Sequence, residues 1–288
     1  LRLGRGERDV EDAAGVVKSR ASCSTRRLCS PFSLEFPPMM RTLQYGPSAD
    51  QQADLYPPSS TKPPVVCLLH GGFWRMPHGR DQMDAIARDL AAHGFAVWNL
   101  EYRRLGAPGG GWPGTLDDVA AGIDHLASLP ALGFDIDLRR VAIAGHSAGG
   151  HLALWAAGRR RALTSAATGV SVSGVVAMAP LSDLAEAHAR KVGGEVVSEF
   201  LGGAPDLLPD RLRAASPFGM LPLGVPQLIL HGSADTTVPN DLSRRYASAA
   251  KAAGDAIELI ELPGVGHMEF LDPGSAAHTT LRGWLATN

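Results

Sequence analysis

Short apolar runs alternate with longer amphipathic stretches along most of the chain. Six runs rich in apolar residues are bounded by glycine, proline or polar residues, at positions 65–69, 96–100, 141–145, 174–179, 227–230 and 257–262. Nearly continuous apolar runs of this length are typical of parallel strands that are covered on both faces. The pattern therefore predicts six strands of a mostly parallel sheet.

The stretches between these runs have the spacing and the end signals of helices. We predict helices over residues 81–93, 115–129, 148–160, 240–253 and 274–287. In the first, Met83, Ile86 and Leu90 fall on one stripe. The second begins with Thr115 as a cap and ends before Pro130. Alternating strands and helices predict an α/β fold with helices on both faces of the sheet.

Two segments depart from this alternation. Residues 181–224 separate two strands by more than a crossover needs, and helical patterns over 195–201 and 208–215 favour a small cap over a disordered loop. Residues 1–38 contain no methionine and show no clean period. We expect a start-site extension or a disordered tail there, with a transit peptide as the alternative. The compact domain is expected over residues 39–288.

Composition narrows the class of protein. Apolar residues make up 45% of the chain, charged residues 19%, and the formal net charge is -2. These values suit a soluble domain, which we expect in the cytoplasm, and without an overall basic excess nucleic acid is a poor partner candidate. No apolar stretch approaches the roughly 20 residues of a membrane span. The three cysteines lack the spacing of a disulfide framework or a zinc site. Cys67 is expected to be a buried apolar residue.

Residues 145–149 read Gly-His-Ser-Ala-Gly, a G-x-S-x-G pattern. The pattern needs a strand before it and a helix after it, and both are predicted here. The serine of such a motif lies on a sharp, strained turn, where larger neighbours than glycine would collide with the backbone. The following helix directs its free N–H groups towards a reacting carbonyl. We therefore predict Ser147 as a nucleophile, the alternative being a glycine-rich turn with an incidental serine.

The sequence His-Gly-Gly-Phe-Trp follows the first predicted strand at residues 70–74. Acyl transfer places negative charge on an oxygen in the transition state, and preorganised backbone N–H groups stabilise that charge. We predict Gly72 and Phe73 as oxyanion-hole donors, with Ala148 as the third. His70 is expected to hold this loop by hydrogen bonds. The alternative is an ordinary turn at the end of a strand.

A base and an acid are expected after later strands, in the chain order nucleophile, acid, base. His267 follows the last predicted strand in a glycine-containing loop, whereas His278 falls in the final helix and is expected at the surface. Asp235 follows the run 227–230 at a strand's carboxyl end, where α/β sheets gather functional groups. Asp183, after the preceding strand, is the alternative acid.

These residues would form a catalytic triad. His267 would take the Ser147 proton and pass it to the leaving group, while Asp235 would fix the imidazole tautomer. An acyl-enzyme would form and be released by water. We expect this chemistry to need neither a metal nor an organic cofactor.

Four segments resemble α/β-hydrolases of the esterase and lipase type: GHSAGGH at the elbow, HGGFW, HGSADTTVP and PGVGHMEF. HGGFW is similar to the HGGxW motif of kynurenine formamidases and related bacterial esterases, since Phe73 stands where other relatives have a third glycine. The resemblance covers residues 41–288. It implies an α/β-hydrolase fold and a small ester or N-formyl arylamine as substrate. It also implies that Trp74 and the 181–224 segment line the substrate pocket; the alternative for Trp74 is a core-packing aromatic.

Two other functions are compatible with these motifs. A prolyl-oligopeptidase-like peptidase usually carries a large extra domain, which about 40 N-terminal residues cannot supply. A catalytically inactive hydrolase fold could act as a binding protein, but such proteins tend to lose members of the triad. A small molecule is the expected partner in the leading hypothesis, and a homodimer is one compatible assembly.

Overall fold

The structure is a computed structural model that describes residues 39–57, 60–162 and 169–288. The predictions made for residues 1–38 lie outside the described residues. The strands, in chain order, are β1 (Arg41–Gln44), β2 (Gln52–Tyr56), β3 (Pro64–Leu69), β4 (Ala96–Leu100), β5 (Asp137–His146), β6 (Val172–Met178), β7 (Gln227–Gly232) and β8 (Ile257–Leu262). All six predicted strands are confirmed, as β3 to β8.

The eight strands form one sheet in the order β1-β2-β4-β3-β5-β6-β7-β8. Strands β3 to β8 are parallel to one another, as predicted. The sequence patterns missed β1 and β2, which pair antiparallel at one edge. β1 has four largely exposed residues, so it carries no apolar run. β8 is the opposite edge strand, and its two glutamates are exposed, so it is covered less completely than predicted.

The α-helices are α1 (Asp84–Ala92), α2 (Gly114–Asp124), α3 (Ala148–Ala162), α4 (Leu184–Ala189), α5 (Val196–Leu201), α6 (Pro209–Ala215), α7 (Asn240–Ala252) and α8 (Ala276–Thr287). α4 was not predicted. The α-helical part of α2 ends at Asp124, before Pro130 as predicted, but a 3-10 helix over His125–Leu132 follows it and contains the proline. Thr115 lies inside α2 rather than at its cap, and its hydroxyl accepts a hydrogen bond from the Gly111 amide.

Apolar side chains alternate between the two faces of the sheet. Along β3, Val65, Cys67 and Leu69 face one buried cluster, and Val66 and Leu68 face the other. Helices α2, α3 and α7 contribute to the first cluster, and α1 and α8 to the second. Both faces of the central strands are therefore covered, as their continuous apolar sequences predict. Among the described residues, no helix combines the length and apolar character that crossing a bilayer requires.

Helix α3 approaches the sheet so closely that one position excludes any side chain. A Cβ atom on Gly149 would lie 2.0 Å from the carbonyl oxygen of Leu69 in β3. We expect Gly149→Ala to lower the free energy of unfolding by about 4 kcal/mol or more, since backbone must move to relieve the overlap. Gly283→Ala is the matched control, because nothing lies within 4 Å of its Cβ position in α8. It should raise stability by about 0.5–1 kcal/mol.

Urea unfolding followed by circular dichroism measures both changes. A Gly149→Ala variant as stable as Gly283→Ala would show that α3 does not need this close approach.

Candidate active site

Ser147 occupies a sharp turn between β5, which ends at His146, and α3, which begins at Ala148. Its φ angle is +57°, in the left-handed region that costs a non-glycine residue free energy. Its amide donates a 2.8 Å hydrogen bond to the carbonyl of Met178 in the neighbouring strand. The structure thus places Ser147 at the carboxyl end of a central strand, held there against its conformational preference.

His267 and Asp235 form a hydrogen-bonded pair at the same edge of the sheet. Asp235 follows β7, His267 follows β8, and the His267 Nδ1 atom lies 2.6 Å from Asp235 Oδ2. Since the carboxylate can only accept, Nδ1 carries the proton and donates it to Asp235. The Nε2 atom of the neutral ring is then the unprotonated nitrogen, which is the form a general base requires.

Asp235 is itself held by several donors. Its Oδ1 atom accepts hydrogen bonds from the amides of Thr237 and Val238, at 2.8 and 2.9 Å. The His231 Nε2 atom lies 3.3 Å from Oδ2. Burial alone would raise the pKa of this carboxyl, but the hydrogen bonds from His231, His267 and Val238 lower it far below its ordinary value. Asp235 therefore stays charged opposite His267.

A cavity of about 180 Å³ opens at this edge of the sheet. It is lined by Gly72, Phe73, His78, Gln82, His146, Ser147, Thr237, His267 and Met268. The predicted nucleophile and base thus line one cavity, and two of the three predicted oxyanion donors line it with them. The third, Ala148, directly follows Ser147 as the first residue of α3.

The 70–74 loop passes directly beside the nucleophile. A Cβ atom built on Gly71 would lie 3.2 Å from the Ser147 Cβ. Gly72 and Phe73 have φ angles of +103° and +52°, so the backbone turns sharply where it lines the cavity. This conformation is strained at Phe73, and strain of this kind concentrates at functional sites.

Trp74 lies in the core and is not among the residues that line this cavity. Its ring stacks on Phe200 of α5 with centroids 4.4 Å apart, and meets His151 of α3 edge-on at 4.9 Å. Beside it, Arg75 forms an ion pair with Glu199 of α5 at 2.6 Å. This packing favours the core role of Trp74 over the substrate-lining role. The 181–224 segment contacts the loop through this buried indole.

The two rival residues have structural roles instead. His278 was expected at the surface, and this is wrong: its side chain is buried and its Nε2 lies 2.7 Å from Asp89 of α1. Asp183 caps α4 by accepting hydrogen bonds from the amides of Ala185 and Glu186. Neither rival lines the cavity that contains Ser147. Within the part of the chain that the structure describes, no group of three or more His, Cys, Asp or Glu residues is placed to hold a metal ion.

The predicted anchoring of the loop by His70 is confirmed. The His70 Nε2 atom lies 2.8 Å from Glu101 Oε1, and its Nδ1 lies 2.8 Å from the Gly71 carbonyl. Its ring stacks on Tyr102 with centroids 4.3 Å apart, and the Tyr102 hydroxyl donates to the His70 carbonyl. Glu101 also accepts a hydrogen bond from the Arg80 amide. The start of the 70–74 loop is therefore fixed from several directions.

We expect Glu101→Gln to destabilise the fold in a pH-dependent way. Burial raises the pKa of Glu101, but hydrogen bonds and charge from His70, with the Arg80 amide and Arg104, outweigh it and lower the pKa. A lowered folded-state pKa gives stability that is present above the unfolded value of about 4.3 and is lost as the pH falls through the folded value. A neutral amide leaves donors unpaired, which costs about 2–3 kcal/mol at pH 7.

Urea unfolding of wild type and Glu101→Gln at pH 7, 5 and 3.5 measures this difference. The gap should be full at pH 7 and should narrow at pH 3.5. A gap that is constant across these pH values would mean that the Glu101 charge adds nothing to stability.

The amino-acid sequence matches the model of the BD-FAE family over residues 53–249. Esterase LipC of Mycobacterium tuberculosis is 30% identical over 258 residues, which cover 83% of this chain and 62% of LipC. Isoprenylcysteine alpha-carbonyl methylesterase ICME of Arabidopsis thaliana is 27% identical, and the match covers 80% of this chain and 56% of ICME. The chain thus spans less than two thirds of the length of these curated relatives.

Solved structures share the fold at lower identity. A truncated form of a carbohydrate esterase from gut microbiota superposes with a TM-score of 0.74 at 24% identity, covering 87% of this chain and 96% of its own. A thermophilic esterase from Thermogutta terrifontis has a TM-score of 0.67 at 22% identity, with 86% and 92% coverage. With the sheet order above, these comparisons establish an α/β-hydrolase fold, and the match over residues 53–249 shows that the chain belongs to the BD-FAE family.

Proposed function

We propose that this chain is a serine hydrolase that cleaves small carboxylic esters or aryl-formamides through an acyl-enzyme on Ser147. One observation carries the proposal: Ser147, on its strained turn, lines the same cavity as His267, whose Nδ1–H is committed to Asp235. A hydroxyl beside an imidazole whose second nitrogen is oriented by a buried carboxylate is the arrangement that activates a serine nucleophile.

The proposed reaction has two halves. His267 Nε2 takes the Ser147 proton as the hydroxyl oxygen attacks the substrate carbonyl, and Asp235 stabilises the resulting imidazolium. The amides of Gly72, Phe73 and Ala148 receive the negative oxygen. His267 then protonates the leaving alcohol or amine, and water attacks the acyl-enzyme by the same route in reverse.

The size of the cavity favours a short acyl group. Its 180 Å³ is well below the roughly 300–1,000 Å³ of pockets that enclose drug-sized ligands. Met268 is 58% exposed and His78 is exposed, so the leaving group would lie at an open rim rather than in an enclosed pocket. The relatives are named as esterases, which supports the ester over the formamide, whereas the HGGFW loop supports the formamide.

Hydrolysis of p-nitrophenyl acetate, butyrate and octanoate, compared with N-formylkynurenine by kcat/KM, tests this proposal. We expect acetate to exceed octanoate at least tenfold, and a fluorophosphonate probe to label the wild-type protein. A larger kcat/KM for N-formylkynurenine than for every ester would assign the formamidase activity. Absence of both turnover and labelling would favour the binding-protein alternative.

A further inference from the structure

His146 is a buried histidine inside the nucleophile motif, and the proposed reaction assigns no role to its side chain. It is the last residue of β5 and directly precedes Ser147, and only 2% of it is exposed. The residue between the first glycine and the serine of this motif can be of any type. A buried imidazole at this position therefore needs its own physical explanation.

The side-chain hydrogen bond of His146 and the shorter of its two ring contacts both go to His267, the proposed base. Its Nε2 atom lies 2.8 Å from the carbonyl oxygen of His267. A carbonyl can only accept, so Nε2 carries a proton and donates it. The two imidazole rings pack with centroids 4.6 Å apart, and Phe270 packs against His146 at 6.0 Å. His146 thus contacts both the backbone and the ring of His267.

This contact fixes the loop where it would otherwise be weakly held. The loop leaves β8 at Leu262 and has no regular structure until the 3-10 turn at Glu269–Leu271. Its first part is tied down by the Ala234 amide, which donates to the Val265 carbonyl at 3.0 Å. The bond from His146 ties the His267 carbonyl itself. Irregular backbone carrying a functional side chain needs such support to keep its geometry.

We propose that His146 is a positioning residue that holds His267 in its place at the Ser147 cavity, with the His267 Nδ1 bonded to Asp235. The role rests on the proposed acyl-transfer function and acts through the base, without contact to the reacting carbonyl. A displacement of about 1 Å in a catalytic group can cost on the order of 100-fold in rate.

The protonation state of His146 suits a permanent donor. Burial, followed by the neighbouring His267, lowers its pKa to about 3. The ring therefore stays neutral from pH 5 upward and keeps its single proton on Nε2, opposite the carbonyl. A charged ring here would face His267 as it becomes an imidazolium during the reaction, and a neutral one avoids that repulsion.

The test compares two replacements that differ in their ability to donate. His146→Phe keeps a ring of similar size without a donor, and His146→Gln places an amide N–H near the former Nε2. We expect His146→Phe to lower kcat for p-nitrophenyl acetate by about 10- to 100-fold with KM within twofold, and to slow fluorophosphonate labelling in parallel. His146→Gln should stay within about fivefold of wild type. The control is His125→Phe, because His125 stacks on Trp98 and does not line the cavity. Its kcat and labelling rate should equal those of the wild type.

Each other outcome overturns the proposal. A His146→Phe variant with wild-type kcat and labelling rate removes the positioning role. Equal losses in the folded Phe and Gln variants would assign the effect to packing, and a change in KM alone would mean that His146 contacts substrate. If His146→Phe does not fold, His146→Met replaces it in the comparison with Gln. A wild-type protein that is neither active nor labelled would instead refute the proposed function itself.

Discussion

Ser147→Ala is expected to lower kcat for p-nitrophenyl acetate by about 10⁴- to 10⁶-fold, because removing the nucleophile of a triad leaves only the oxyanion hole and binding. The overall fold should persist, since the Ser147 amide, rather than its hydroxyl, bonds to Met178. Steady-state hydrolysis and fluorophosphonate labelling measure the loss, and circular dichroism checks the fold. Ser128→Ala, whose hydroxyl donates to the His125 carbonyl outside the cavity, is the control and should keep full activity.

Ser147→Gly makes the same prediction sharper. The residue has a φ angle of +57°, which costs a residue with a Cβ about 1 kcal/mol or more relative to glycine. The glycine variant should therefore be as inactive as Ser147→Ala but more stable than it by about 1 kcal/mol. An Ala variant that keeps more than a tenth of the wild-type rate would exclude Ser147 as the nucleophile.

The central strands were predictable from the sequence because both of their faces are buried. The central strands β3 to β7 carry continuous apolar runs, since α2, α3 and α7 cover one face and α1 and α8 the other. The missed hairpin of β1 and β2 lies at an edge. There the buried Asp54 forms an ion pair with Arg80 at 2.6 Å. A search for apolar runs cannot detect a strand whose buried positions include such a charged residue.

In the candidate site, too, some residues could be predicted from the sequence and some contacts could not. Ser147, Asp235 and His267 each follow a strand, so chain order and motif suffice to select them. Contacts that join distant segments leave no local signal. The bond of His146 to the His267 carbonyl spans 121 residues, and that of His278 to Asp89 spans 189. The burial of His278 could therefore not be read from its helix.

Trp74 illustrates the same limit within a motif. The HGGFW sequence places the indole after two loop residues that line the cavity, and spacing alone leaves both a lining and a core role open. In the structure Phe200, 126 residues later in the chain, stacks on the Trp74 ring with centroids 4.4 Å apart. This contact places the indole in the core. The 181–224 segment thus contributes to the candidate site by packing behind the 70–74 loop.

Asp235→Asn is expected to lower kcat by about 10³- to 10⁴-fold, although the two side chains have the same shape. The amides of Thr237 and Val238 both donate to Oδ1, so the carbonyl oxygen of an asparagine would occupy that position. Its NH₂ group would then face His267 Nδ1 and donate to it. The ring would be driven to the tautomer protonated on Nε2, which cannot accept the Ser147 proton.

Two variants set the scale for this loss. Asp235→Ala removes the carboxylate without imposing a donor, so we expect the asparagine variant to be no more active than the alanine variant. Asp183→Asn replaces the rival carboxylate, whose oxygen accepts from two amides at the start of α4. It should leave kcat within about twofold and cost about 1 kcal/mol of stability at most. If Asp183→Asn abolished turnover while Asp235→Asn kept more than a tenth of it, Asp183 would be the acid that orients His267.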